Sequence, residues 1–333
     1  MYRILIFTFV VLWFGSCRRS DKKVDLDGVV ADLEIKRFEQ ELFTIDPSAL
    51  KEHVPAIKEK YGTFFDIFNH RIIRIGSDEN EYYAEYLKDF VTNFTNYKIY
   101  QRTREVFPDL NELHSNLTNA FRHYKYYFPE NEVPSIVTYI SGFNQSVFSD
   151  ENLLAIGLDN YLGTEEELYK QLGVYEYLVR NMHKDKIVTD CMRLWAMTEF
   201  PYNDSVNNLI TNMIYEGMVM FFTNKMLPAE AGPIKWGFTD KEILFCKNNE
   251  KQMWTYLIEH KLLFTSDKFT ISKFIKEGPF TKDFSTESPA RAAVWLGYRI
   301  VEAYMQRHKS TSLHMLMHEK DYQKILNQSG YNP

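Results

Sequence analysis

The sequence predicts an α+β fold that is predominantly α-helical, with helices around a small antiparallel sheet. Two observations carry that expectation. Apolar residues recur at helical spacing through most of the chain, as in Leu113, Leu117, Ala120, Phe121 and Tyr124. Short β-branched and aromatic runs occur at only three places: around Ile35, over 134–141 (PSIVTYIS) and over 153–158 (LLAIGL). The hydrophobic fraction of 45% and charged fraction of 25% are those of a packed globular chain. A formal net charge of −6 implies no domain-scale basic surface, which argues against a nucleic-acid binder. The 25 Phe and 22 Tyr are read as core and subsurface packing, because each ring buries a large area and Tyr keeps a polar handle.

The first element is a signal. Met1-Tyr2-Arg3 is positively charged, Ile4 to Phe14 is apolar, and Gly15-Ser16-Cys17 follows, the layout of a secretory signal peptide over residues 1–16. As a helix the apolar run would span about 16 Å against a hydrocarbon core of about 30 Å, too short to remain as a membrane span. A cysteine directly after two small residues resembles a bacterial lipobox, although Phe14 is bulkier than usual there. Cys17 is therefore expected to carry diacylglycerol after cleavage behind Ser16. Several acyl chains together anchor stably, at about 0.8 kcal/mol per buried methylene. Residues 17–30, charged and poor in large aromatics, read as the tether, and 31–330 as one continuous domain.

Within that domain, Leu33, Ile35 and Phe38 suggest a first strand. Residues 47 to about 128 are helical, broken near 76–79 and at Pro108 and stopped by Pro129. The runs at 134–141 and 153–158 read as adjacent antiparallel strands flanking a short intervening piece, with the Ile35 strand as third member. Helices follow: one capped by Thr164 and running to Met182, one beginning at Asp185, and one through Glu216 to Asn224. Thr239-Asp240-Lys241-Glu242 has the form of a capping box opening a helix to Leu262. Ser288-Pro289 is read as a cap with proline at the first helical position, and Ser312 to Asn327 as the last helix. Cys191 and Cys246 fall in apolar helical runs, where a buried free thiol is commoner than a disulfide.

The nine histidines form no metal motif. His314 and His318 share a helix face but lack a third ligand, and His183 reads as a helix-end cap. There is no GxSxG, no phosphate-cradling glycine loop and no Cys/His cluster. One pattern pairs two helices. Tyr175-Glu176-Tyr177-Leu178-Val179 and Tyr215-Glu216-Gly217 can be laid on the scheme of a gluzincin peptidase, HExxH on one helix and a glutamate ligand on the next. Glu176 would then be the general base and Glu216 the third ligand, with Tyr175 and Val179 where histidines belong. Neither Tyr nor Val ligates zinc at neutral pH, so the expected cofactor is none and any such site is degenerate. A glutamate on a helix is also ubiquitous without any such meaning.

Over the whole mature chain the sequence resembles the gliding motility lipoprotein GldB family of Bacteroidetes. The likeness is carried by residues 35–39 (IKRFE), 134–144 (PSIVTYISGFN), 156–163 (IGLDNYLG), 215–217 (YEG), 254–259 (WTYLIE), 287–291 (ESPAR) and 295–298 (WLGY). The resemblance implies a lipid-anchored cell-envelope protein facing the periplasm, linked to gliding motility and the type IX secretion machinery, with envelope proteins as partners. The family is also similar to predicted zinc-dependent proteases with an EG motif, which implies a degenerate gluzincin-like fold. With no complete HExxH, triad or nucleotide motif, the expectation is a non-catalytic scaffold. The alternative is a hydrolase acting on peptide or cell-wall material.

Overall fold

The computed structural model describes residues 24–333; Cys17 and the signal segment lie outside the described residues. The N-terminal half contains strand β1 (Ile35–Arg37) and helices α1 (Phe38–Thr44), α2 (Leu50–Tyr61), α3 (Thr63–Ile67), α4 (Tyr83–Thr92), α5 (Phe94–Val106) and α6 (Asn111–Tyr127). Strands β2 (Ser135–Tyr139), β3 (Val147–Asp150) and β4 (Leu153–Gly157) follow. Helices α7 (Glu167–Gln171), α8 (Glu176–Val179), α9 (Ile187–Glu199), α10 (Leu209–Met226), α11 (Gly232–Trp236) and α12 (Asp240–Asn248) come next. The chain closes with α13 (Glu250–Glu259), α14 (Lys268–Ile275), α15 (Ala292–Arg307), α16 (Leu313–His318) and α17 (Tyr322–Ser329).

The four strands form one mixed sheet in the order β1-β2-β4-β3. β1 pairs with β2, and β2 with β4, in parallel; only β3 and β4 are antiparallel. Sequence reasoning made the 134–141 and 153–158 strands antiparallel because it treated the piece between them as a connection. That piece contains β3, which folds back on β4 through Glu151 and Asn152, so the chain reverses twice and β2 and β4 end up running the same way.

The sheet separates two cores, and the strand period decides which side chain enters which. Ile136, Leu154 and Ile156 join the larger core. Val137, Tyr139 and Ala155, one residue out of phase with them, join a smaller core with Phe38, Phe64, Phe65 and Phe68. The smaller core is aromatic and edge-packed, with Phe38 4.7 Å from Phe68 and 5.0 Å from Phe64 between ring centroids. Glu39, buried at the start of α1, accepts from Arg37 Nε at 2.8 Å and from Thr138 Oγ1 at 2.7 Å, tying α1 to the β1–β2 pair. Ahead of β1, Arg122 of α6 donates to Leu26 O at 2.7 Å and Val29 O at 2.9 Å.

The larger core is built around α10, which is buried on nearly every side and so reads apolar all round. A capping box between Asn208 and Thr211 opens it. Its main partner is α15, and the two helices meet at glycine. A Cβ on Gly217 would stand 2.3 Å from Gly297 C, and one on Gly297 would stand 1.7 Å from Met213 O. No helix among the described residues is long and apolar enough to cross a membrane.

Several helix boundaries differ from the sequence reading. The Thr239–Glu242 capping box is formed, but its helix ends at Asn248 and α13 begins afresh. The helix expected from Thr164 to Met182 is two short pieces, because Gly173 turns left-handed (φ 71°) and Glu166 rather than Thr164 caps the first. Ser288-Pro289 does not start α15: Ser288 is buried against the backbone of Thr281, and the helix starts after Arg291. His183 precedes a short 3₁₀ turn instead of ending a helix. Cys191 and Cys246 are both buried free thiols, and burial pushes both well above the ordinary thiol range.

A candidate site between helices α9, α10 and α15

The sequence-predicted candidates fall in two different environments. Tyr175 precedes the one-turn helix α8, is 68% exposed and stacks on Tyr177 with ring centroids 5.6 Å apart. Glu176 is exposed, and α8 buries none of its residues, although Val179 packs against the larger core. Glu216 lies on α10 among buried neighbours. The group it meets is Arg193 of α9, with Nη2 3.6 Å from Glu216 Oε2.

Sequence reasoning missed α9 as a site element. Ile187, Cys191, Met192 and Trp195 bury one side of it, and a second stripe carries Lys186, Asp190 and Arg193 at spacings of four and three, with Thr189 between. Lys186 is 3% exposed and its Nζ donates to Asp190 Oδ1 at 2.5 Å; Tyr161 donates its hydroxyl to Asp190 Oδ2 at 3.0 Å. Arg291 enters from the start of α15, held in the left-handed region (φ 58°) and 4% exposed. Its Nη2 donates to Trp236 O at 2.8 Å. Glu277 Oε1 lies 2.8 Å from its Nε, too far off the N–H direction to close a hydrogen bond. Burial pushes both cations below their usual range. For Lys186 the nearby Asp190 carboxylate works against that fall, and for Arg291 the like charge of Arg193 adds to it.

Five buried polar atoms of this cluster find no hydrogen-bond partner: Thr189 Oγ1, Arg193 Nε, Glu216 Oε2, and Nε and Nη1 of Arg291. Such atoms are few in native proteins, and their convergence marks a place with unspent bonding capacity. Beside them is a cavity of about 450 Å³, whose wall includes Lys186, Asp190, Arg193 and Arg291. Asn160 and the loop after β2 supply the opposite wall. That loop is fixed by Asp159, fully buried, which accepts from the backbone N–H of Ser141 at 3.0 Å and of Phe143 at 2.8 Å. Burial raises the Asp159 carboxyl to about 6 despite those two donors.

Thr189, Asp190 and Arg193 have the spacing of the first, second and fifth positions of HExxH, and Glu216 follows on the next helix. A zinc ion does not fit this donor set. A guanidinium has no lone pair to give, threonine is no zinc ligand of the usual kind, and Arg193 sits against the only glutamate in that position. Among the described residues no three His, Cys, Asp or Glu side chains converge as a metal site. What the arrangement offers chemically is charge recognition: N–H donors without acceptors, in a partly apolar cavity. The sequence signal that points to it is a set of charges at i, i+4 and i+7 in an otherwise apolar helix.

No curated protein and no solved structure matches the chain. A family model for gliding motility protein GldB matches residues 19–333. That match takes in both cores, the sheet and the α9–α10–α15 cluster, and the chain belongs to the GldB family of gliding motility proteins.

Proposed function

We propose that this chain is a lipid-anchored protein of the cell envelope, held through Cys17 and facing the periplasm. It acts as a non-catalytic scaffold that binds envelope proteins of the gliding or type IX secretion machinery. The observation that carries the non-catalytic part is the pairing of Arg193 with Glu216. A guanidinium stands where a hydrolase of the two-helix metal type needs a ligand nitrogen. The anchored part is supported by family membership and by the lipobox-like Gly15-Ser16-Cys17 just ahead of residue 19, where the family match begins.

The test is Cys17→Ala in a gliding host. The variant is expected to leave the membrane fraction, keep its fold and lose its function, and full activity from the released protein overturns the reading. Pull-down from solubilised membranes should return envelope proteins repeatedly. Near-stoichiometric zinc in the purified protein, lost on Glu216→Ala, would instead favour a hydrolase acting on peptide or cell-wall material.

A further inference from the structure

The cavity beside α9 combines two features that a packed interior does not bring together by chance. Lys186, Arg193 and Arg291 line it together with Asp190 and Glu277, and Glu216 beside Arg193 is a third carboxylate, so the charges balance while the hydrogen bonds do not. Asp190 is already occupied by Lys186 and Tyr161. Glu277 is half exposed, with its side chain at 46%. The guanidinium N–H groups of Arg193 and Arg291 are therefore left short of acceptors, while Glu216 Oε2 is left short of a donor. Val174, Leu178, Met182, Leu194 and Met197 also line it and give it an apolar wall. Buried N–H donors without acceptors cost about 1–3 kcal/mol each, a penalty that an anion in the cavity relieves.

We propose that this cavity binds a carboxylate borne on an apolar residue, as in an N-acylated apolar amino acid. The carboxylate answers the guanidinium donors as a charge-assisted pair, and the side chain lies along the leucine and methionine wall. Two sources share that chemistry: a free N-acyl amino acid, and the C-terminus of a polypeptide. The volume of about 450 Å³ takes one such residue with its flanking amide, and lies in the range of small-molecule pockets. The inference rests on the partner-binding reading for its biological sense. Its test is separate from the anchor test, so either fails without the other.

The experiment is calorimetric titration of the full chain in detergent with N-acetyl-leucine, its amide, and a hexapeptide ending in leucine as the free acid or the amide. The free acids are expected to bind at least about tenfold more tightly than the amides, because the amide cannot form the charge-assisted pair. Tighter binding of the peptide acid identifies a chain terminus; binding of N-acetyl-leucine alone identifies a small molecule. Arg193→Gln should erase the acid-over-amide preference. Leu178→Trp, at a partly exposed wall position where folding is not at stake, should block all binding by filling the cavity. Equal affinity for acid and amide overturns the proposal, as does unchanged binding in Leu178→Trp or no binding of either acid at millimolar concentration.

Discussion

Glu176 and Glu216 make the informative comparison. Each is a glutamate directly after a tyrosine, and in the sequence they look interchangeable. Glu176 stands on a one-turn helix with no buried residue, its tyrosine out in solvent. Glu216 stands on the central helix of the larger core, 3.6 Å from a part-buried arginine. A glycine stands near each: Gly173 turns the chain ahead of the exposed segment, whereas Gly217 sits where α10 presses against α15 at Gly297, next to the part-buried Glu216. A motif read from spacing has meaning only once burial assigns it a neighbour.

The largest expected effect is therefore at the glycine contact and not at either carboxylate. Gly217→Ala puts a Cβ 2.3 Å from the backbone of α15, where no side chain can give way. It should cost about 3 kcal/mol or more in urea unfolding. Gly232→Ala, whose Cβ would meet only Ile243 Cδ1 at 3.5 Å, should stay within about 0.5 kcal/mol. If the two variants unfold at the same midpoint, the close α10–α15 crossing beside Glu216 does not hold the helices together.

Next comes the charge pair itself. Arg193→Met leaves the part-buried Glu216 without its cation and should destabilise by about 1–2 kcal/mol. Adding Glu216→Leu should recover most of that loss, because two apolar residues replace two imperfectly satisfied charges. A double-mutant cycle decides it: purely additive losses would mean that Arg193 and Glu216 do not interact across α9 and α10.

A smaller effect tests the loop that walls the cavity. Asp159 has a raised native pKa, about 6 against an ordinary value of 3.8. Between those values the native state holds the proton more tightly than the unfolded chain does. Its contribution to stability is thus present below the ordinary value and is lost as pH rises through about 6. Asp159→Asn should remove that downward component, which appears as the difference between the two pH–stability curves over roughly pH 4–6. Parallel curves would place the carboxyl in a less buried setting than the structure gives it.

Much of this architecture is legible in the amino-acid sequence alone. Helical periodicity locates α6 and the Thr239 capping box, and the β-branched runs locate three strands. The segments that carry the family likeness are physically joined: Arg37 and Glu39 meet Thr138, Asp159 holds Ser141 and Phe143, and Gly217 meets Gly297. The features that escape a sequence reading depend on tertiary contact. β2 and β4 are parallel because an edge strand intervenes, and a strand of four half-buried residues carries little pattern of its own. The α9 cluster escapes because a search for HExxH looks for histidine and glutamate, while α9 offers threonine, aspartate and arginine at those positions. Buried charge is a property of packing, and only a charged stripe in an apolar helix hints at it.

The smallest effect separates the two glutamates most sharply. Glu176→Ala and Tyr175→Ala remove exposed groups, the tyrosine stacked on Tyr177, so the urea midpoint should not move measurably. A silent result in the same assay that registers Arg193→Met assigns the structural role to α9 and α10 and frees α8 of one. It also leaves α8 free to matter differently, since Leu178 lines the cavity and Val179 packs against the larger core. If Glu176→Ala instead unfolds the chain as readily as Arg193→Met does, then α8 is no surface turn, and the comparison on which the site rests collapses. Loss of stability there would require a buried partner for Glu176, and crosslinking between the 175–179 and 213–217 segments would reveal it.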